Sequence, residues 1–306
     1  MSDRITPAMV TSSTLADLGS SLAALERSTN ELSSGKTILA PSDNPYGASR
    51  VIDLQSQLEG LTNYEGDAQD GIAWENTASS AMSNINELTQ RVRELVVQSA
   101  NGTNNQGDLN TIALEIEQLT ESVKQDASTQ YAGQYVFSGT ATTPPYEQGA
   151  GAGADEYKGN EETVSRAVGP AATVSISTNI ATLLGGGEAA KDGKLLDTLR
   201  TIVGHLRSGT AEGREALGTT DLANLDGNLE TLSQLQAVAG SATDQLRAAL
   251  TRNESVQTSI TEALSNTLDT NVAQVSIQYA NEQAAYEAAL RAGASIVQES
   301  LLNFLQ

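Results

Sequence analysis

Hydrophobic positions at both ends of this chain recur with the alternating three-and-four spacing of a helical seam. Near the start, Leu15, Leu18, Leu22, Leu25 and Leu32 share one stripe, with Thr29 filling its one apolar gap. Near the finish, Tyr286, Leu290, Gly293, Val297, Leu301 and Phe304 repeat the pattern. A stripe this narrow suits a coiled coil, and a lone helix in water cannot bury it. Short isolated helices are also marginal, because nucleation is costly and propagation barely favourable. Each end therefore needs a partner: the other end, or another copy of the chain. The last helix widens to Ile296, Val297, Leu301, Leu302, Phe304 and Leu305, more than a two-helix seam needs, which favours contact with other copies.

Between the ends the periodicity predicts further helices. The first spans about Thr11 to Ser34 and stops at Gly35, a residue suited to a left-handed cap. Pro41-Ser-Asp-Asn-Pro45 interrupts it, with Asn44 as N-cap and Pro45 at the first helical position. The next helix carries Val51, Leu54, Leu58 and Leu61, falters near Gly66 or Gly71, and resumes through Met82, Ile85, Val92 and Leu95 to Asn101. After a polar turn, Asp108 is placed as N-cap of a helix bearing Leu109, Ile112, Ile116, Leu119 and Val123, running to about Tyr131. Helices joined by so short a turn should lie antiparallel.

The texture changes at Gly133. Tyr135 to Phe137, Tyr157 to Gly159, Thr163 to Val168 and Ala172 to Ser177 read as short strands, and Gly149-Ala-Gly-Ala-Gly-Ala154 as a loop. Helical spacing returns with Leu195, Leu199, Ile202 and Leu206. A helix of ~45 residues begins near Thr220, and Asp269 is placed as cap of the final one. The predicted fold is mainly α: an elongated antiparallel helical rod with a terminal coiled coil formed by the N- and C-terminal helices, plus a small inserted β-rich domain. Its parts are a terminal assembly domain over 1–44 and 268–306, a helical rod domain over 45–138 and 215–267, and an inserted outer domain over 139–214.

Composition narrows the function. Of 306 residues, 39% are hydrophobic but only 4% aromatic, which suits thin helical layers of Ala and Leu better than a round core. The net charge of −21 disfavours nucleic acid and anionic membrane surfaces as partners. Cys is absent, so disulfides and thiolate metal sites are excluded. The opening residues carry no apolar stretch of a cleavable signal, and no run is long enough to span a bilayer; alone, this suggests a cytoplasmic protein, unless export is signal-independent.

No catalytic constellation emerges, and no metal or cofactor is expected. His205, the only histidine, lacks carboxylates at helical spacing and reads as a half-exposed helix residue. Glu115, Glu117 and Glu121 read as a solvated helix face. Asp155-Glu156 and Glu161-Glu162 lie in turns without the spacing of a calcium loop. The Gly151-Ala-Gly153 segment lacks the strand, helix and Lys of a phosphate cradle. Arg91 to Leu95 reads as seam plus surface, though an exposed Arg could dock a neighbouring subunit.

Several motifs carry a family resemblance. Glu31-Leu-Ser-Ser-Gly-Lys-Thr-Ile38 with Pro41-Ser-Asp-Asn-Pro45, Asp70-Gly-Ile72, the run from Gln90 to Asn104, and Asp108-Leu-Asn-Thr-Ile112 resemble the N-terminal signature of bacterial flagellins and their junction-protein relatives. Tyr286-Glu-Ala-Ala-Leu290 through Ser300-Leu-Leu-Asn-Phe-Leu305 is similar to the family's C-terminal helix. Pro41 to Pro45, Gly133 to Gly139 and Tyr157 to Gly159 resemble the hook–filament junction branch, while Gln90 to Asn104 is as close to filament flagellins. The resemblance implies a structural subunit, not an enzyme, on the extracellular bacterial flagellum. It implies signal-independent type III export, an export chaperone on the C-terminal helix, and partners among a hook-side hook-associated protein, flagellin and further copies of itself. Arg91, Leu95 and Glu115 fall on the flagellin stretch sensed by a vertebrate Toll-like receptor. Filament flagellin is the alternative reading, and a glycan-binding outer domain a more distant one.

Overall fold

The computed structural model describes residues 7–101, 104–149, 155–187 and 190–304, with the side chains of 7, 8 and 296–304 outside the description. Among these residues run α1 (Pro7–Ser34), α2 (Pro45–Ala100), α3 (Gln106–Ala127), β1 (Gln130–Tyr131), β2 (Gln134–Tyr135), β3 (Ser165–Gly169), β4 (Ala172–Ser175), α4 (Ala181–Leu184), α5 (Leu195–Ser208), α6 (Ala211–Ala216), α7 (Leu222–Leu268) and α8 (Val272–Phe304). A π-helical turn, Leu217–Asp221, joins α6 to α7. The chain is mainly α, as expected, with two small two-stranded sheets. It divides into two compact units, 1–60 with 256–306 and 61–255.

In the first unit, α1 packs against α8. Gly35 ends α1 at φ +69°, a left-handed cap that a Cβ would strain. The next residues pair with those ending α7: Lys36 bridges Asp269 antiparallel, Thr37 N–H donates to Leu268 O at 2.7 Å, and Thr270 N–H to Gly35 O at 3.0 Å. The loop before α2 is held by the Asp43 carboxylate, which accepts from the Ala40 and Leu39 amides at 2.8 and 3.1 Å. Those bonds, Ala40's first, hold the Asp43 carboxyl below its usual range. Asn44 caps α2 by accepting from Gly47 N–H at 2.9 Å. A Cβ on Gly47 would sit 2.6 Å from Ile38 Cδ1, so a larger residue here would have to displace that side chain.

The second unit has a continuous core. Trp74, Met82, Ile85, Ile116, Val123, Phe137, Leu199, Leu206 and Leu246 are all buried. α2 does not falter at Gly66 or Gly71. Gly71 lets helix and neighbours approach closely, since a Cβ there would lie 3.1 Å from Leu246 Cδ1 and 3.3 Å from Arg166 Cγ. The β1–β2 hairpin turns through Ala132 (φ 48°) and Gly133 (φ 81°), the positive-φ pair of a type I′ turn. β3 pairs antiparallel with β4, Ser165 opposite Ser175 and Arg166 opposite Val174, with an irregularity between Ala167 and Gly169.

Four local expectations are corrected. Asp108 is not the N-cap of α3; Asn105 is, and Asp108 occupies the third position of a capping box, accepting from Asn105 N–H at 3.2 Å. Asp269 does not cap α8; Asn271 does, accepting from Gln274 N–H at 3.2 Å, because Asp269 is taken up in the bridge to Lys36. α3 ends at Ala127, and Tyr131 belongs to β1. Tyr157 to Gly159 forms no strand. Its backbone is pinned instead by the Tyr157 hydroxyl, which donates to Phe137 O at 2.9 Å, and by Lys158 N–H donating to Pro145 O at 2.9 Å.

Candidate functional site

The α1–α8 pair leaves its apolar stripe open. Leu15 is 65% exposed, Leu22 40% and Leu290 43%, while Leu18, Leu25, Leu32 and Tyr286 are half-buried. Val297, Leu301 and Phe304 lie outside the described side chains. By contrast, the leucines of α5 in the second unit are buried, Leu206 at 0% exposure. A two-helix pair has only one contact line, so seam leucines at its edges stay wet unless a third helix covers them. Here that leaves an apolar groove of about 450 Å³ between α1 and α8, lined by Thr11, Thr14, Leu15, Leu18, Ala289, Leu290, Gly293 and Ala294. What that lining offers is exposed apolar surface.

Burial is graded along the pair. Close to the Lys36–Asp269 bridge, Ser28 (2% exposed), Glu31, Leu268 and Val275 are buried. Ser28 Oγ donates to the Glu282 carboxylate across the seam, and Gln278 Nε2 donates to the other Glu282 oxygen at 2.8 Å. Glu31 is matched by Arg27 at 3.1 Å along the same helix.

The second surface anticipated for contacts lies where α2 and α3 run side by side. Arg91 is exposed and donates through Nη2 to Glu115 Oε1 at 2.9 Å and through Nη1 to Glu94 Oε2 at 3.1 Å. Glu115 first, then Glu94, stabilises the protonated guanidinium. Leu95 points the other way and is 2% exposed, inside the core. Arg91 and Glu115 thus form a polar pair at the surface, while Leu95 anchors α2, the helix that carries Arg91.

Several buried polar groups escaped the sequence. Glu121, read as solvated, joins a cluster with Lys124, Asp155 and Arg200. Lys124 is fully buried and its Nζ lies 2.9 Å from both Glu121 Oε1 and Asp155 Oδ1, and 2.6 Å from Gly149 O. Arg200 Nε donates to Asp155 Oδ2 at 2.8 Å. Burial pushes the Asp155 carboxyl up, but the Arg200 and Lys124 hydrogen bonds outweigh it and hold the group below its usual range. With two cations already on it, this carboxylate is a structural tie between α3, α5 and the loop region. His205 does have a carboxylate, from outside its own helix: Nδ1 lies 2.6 Å from Asp221 Oδ2, on the π-helical turn. No signal in residue spacing could have paired groups brought together only by the fold.

Glu75, on α2, is 1% exposed, and its Oε2 lacks a hydrogen-bond partner. Burial pushes its carboxyl from 4.5 up to about 7. With the folded pKa above the unfolded one, stability is greatest below about pH 4.5 and is lost as pH climbs to about 7. At ~1.4 kcal/mol per unit this amounts to about 3 kcal/mol. Glu75→Gln is therefore expected to remove that loss. Urea midpoints measured from pH 4.5 to 8 should show the variant gaining on the native chain across this window, and parallel profiles would refute the assignment.

Over part of its length this chain, with its paired terminal helices and open seam, is similar to proteins of the flagellin type. Residues 5–142 match the family described as the bacterial flagellin N-terminal helical region. The chain is 40% identical over 123 residues to a flagellin of Salmonella muenchen, covering 40% of this chain and 24% of the relative. The chain thus spans about a quarter of the length of the curated flagellins it matches. Its fold resembles that of a putative flagellar hook-associated protein from Vibrio parahaemolyticus, with TM-score 0.67 and 15% identity over 74% of this chain and all of the other. It also resembles flagellar hook associated protein-3 from Legionella pneumophila, with TM-score 0.61 and 14% identity over 71% of this chain and 98% of the other.

Proposed function

We propose that this protein is a structural subunit of the bacterial flagellum that polymerises as the junction adaptor between a hook-associated protein and the flagellin filament. The observation that carries the assembly role is the half-wet seam of α1 and α8, with Leu15, Leu22 and Leu290 exposed in the protomer. Burying each of these leucines fully against other copies is worth about 1.5–3 kcal/mol. In this reading the α1–α8 pair forms the assembly part, the long α2 and α7 the helical part, and residues 139–214 an outward part. Arg91 and Glu115 supply a polar contact to a neighbouring subunit. The chain travels unfolded through type III export to an extracellular location, with a chaperone on the C-terminal helix.

The junction role is supported by the resemblance in fold to hook-associated proteins over most of their length. The 40% identity to a flagellin over 123 residues favours a second reading, in which the protein is the filament subunit. Location separates them. Labelled protein on isolated flagella is expected at one joint, and gene deletion should release flagellin into the medium. Label along the whole filament would overturn the junction reading.

A further inference from the structure

The leucine stripe of α1 cannot by itself choose a register against α8. A shift of seven residues carries Leu15 onto Leu22, Leu18 onto Leu25 and Leu25 onto Leu32, so slipped pairings bury the same kind of surface. The observed register is unambiguous, however, with Thr14 beside Gly293 and Ser28 beside Glu282. We propose that the Ser28–Glu282 hydrogen bond is the element that selects this register, and with it the face the helix pair presents to a neighbouring copy. Only the second part rests on the assembly role proposed above.

The physical case lies in what each slip does to two polar groups. Ser28 is 2% exposed, so its hydroxyl sits where the seam is driest. A slip of seven residues one way sets Ser28 against Val275, itself 7% exposed, and across the seam offers Glu282 only Ser21, whose hydroxyl already donates to Asp17 O at 2.9 Å. A slip the other way sets Ser28 against Ala289 and Glu282 against Gly35, which has no side chain to offer. Either slip strands a buried polar group, whose unmet hydrogen bonding costs more than a made bond contributes. A polar pair buried in a largely apolar seam is a recognised means of specifying alignment. The pair also sits where it can act early, on the buried side of the gradient and between the Lys36–Asp269 bridge and the open groove.

The bridge is the competing explanation, because it too ties α1 to the start of α8. Disulfide trapping in the full-length chain separates the two, and the natural absence of cysteine makes it clean. Thr14→Cys with Gly293→Cys reports the observed register, since a Cβ on Gly293 would lie 3.3 Å from Thr14 Cγ2. Thr14→Cys with Tyr286→Cys reports one slip, and Ser21→Cys with Gly293→Cys the other. With Ser28 and Glu282 in place, only the first pair should close, as a monomeric species at low concentration. In Ser28→Ala/Glu282→Leu, which leaves the bridge untouched, the slipped products should rise roughly tenfold. If the first pair remains the sole product in that variant, the bridge sets the register and the proposal fails. It fails too if no pair closes in the variant, since the two residues would then serve pairing itself and not its alignment. Because every readout is intramolecular, it stands or falls separately from assembly, which sedimentation of the same variants measures.

Discussion

Leu15→Asp combined with Leu290→Asp is expected to abolish self-assembly while leaving the protomer folded. Both side chains line the groove between α1 and α8, and they are 65% and 43% exposed in the single chain. A charge at either place costs the protomer little, because it still meets water. In an assembly the same charge would be desolvated without a partner, and the leucine burial of about 1.5–3 kcal/mol per residue would be lost as well. Together these should raise the concentration needed for polymerisation by at least about a hundredfold. Sedimentation against concentration gives that threshold, and circular dichroism checks that the helices persist. A double variant that assembles at the native threshold would remove the seam from the mechanism. A chain that fails to assemble because it has unfolded would instead lose its helical signal.

Asp155→Ala should produce the largest loss of stability in the second unit. It strips Lys124, fully buried, of its most buried counter-charge and leaves Arg200 with Glu121 at 3.5 Å. Removing one partner from a buried ion cluster typically costs about 3–5 kcal/mol, because the remaining charge stays dry. Urea unfolding followed by the fluorescence of Trp74, which lies in this unit's core, reads the effect. The native cluster also has a pH signature. The folded Asp155 carboxyl lies below its ordinary value of 3.8, so its contribution is complete above that pH and fades as pH falls through the lower folded value. Asp155→Ala should lack that acid-side decline. A loss below 1 kcal/mol would mean that Glu121 and Gly149 O suffice for Lys124.

How much of this was readable in residues alone depended on the range of the interaction. The end of α1 at Gly35, the Asn44 cap with Pro45 behind it and the long α7 follow from local rules, because each is decided within one or two helical turns. The segment from Ala172 to Ser177, read as a strand, likewise follows from a local two-residue alternation, and its Val174 and Ile176 are both buried. Asp108 and Asp269 were misassigned as caps for a shared reason. Both are acceptable cap residues by type, but a neighbouring Asn held the position and each Asp was engaged elsewhere, in the capping box and in the bridge. Tyr157 to Gly159 has strand-like composition, yet its tyrosine hydroxyl reaches back to Phe137 and holds the segment irregular.

Hydrophobic periodicity was enough to establish long amphipathic helices at both ends, a small β-rich interruption and apolar stripes in search of cover, since those follow from the 3.6- and 2-residue repeats. The tertiary structure decided which polar groups were removed from water and what met them there. Lys124 with Asp155, Asp155 with Arg200, His205 with Asp221, and Ser28 with Glu282 are separated by 31, 45, 16 and 254 residues along the chain. No periodic signal reaches across such gaps, because a repeat reports which face of an element is apolar and is silent about which element will stand opposite.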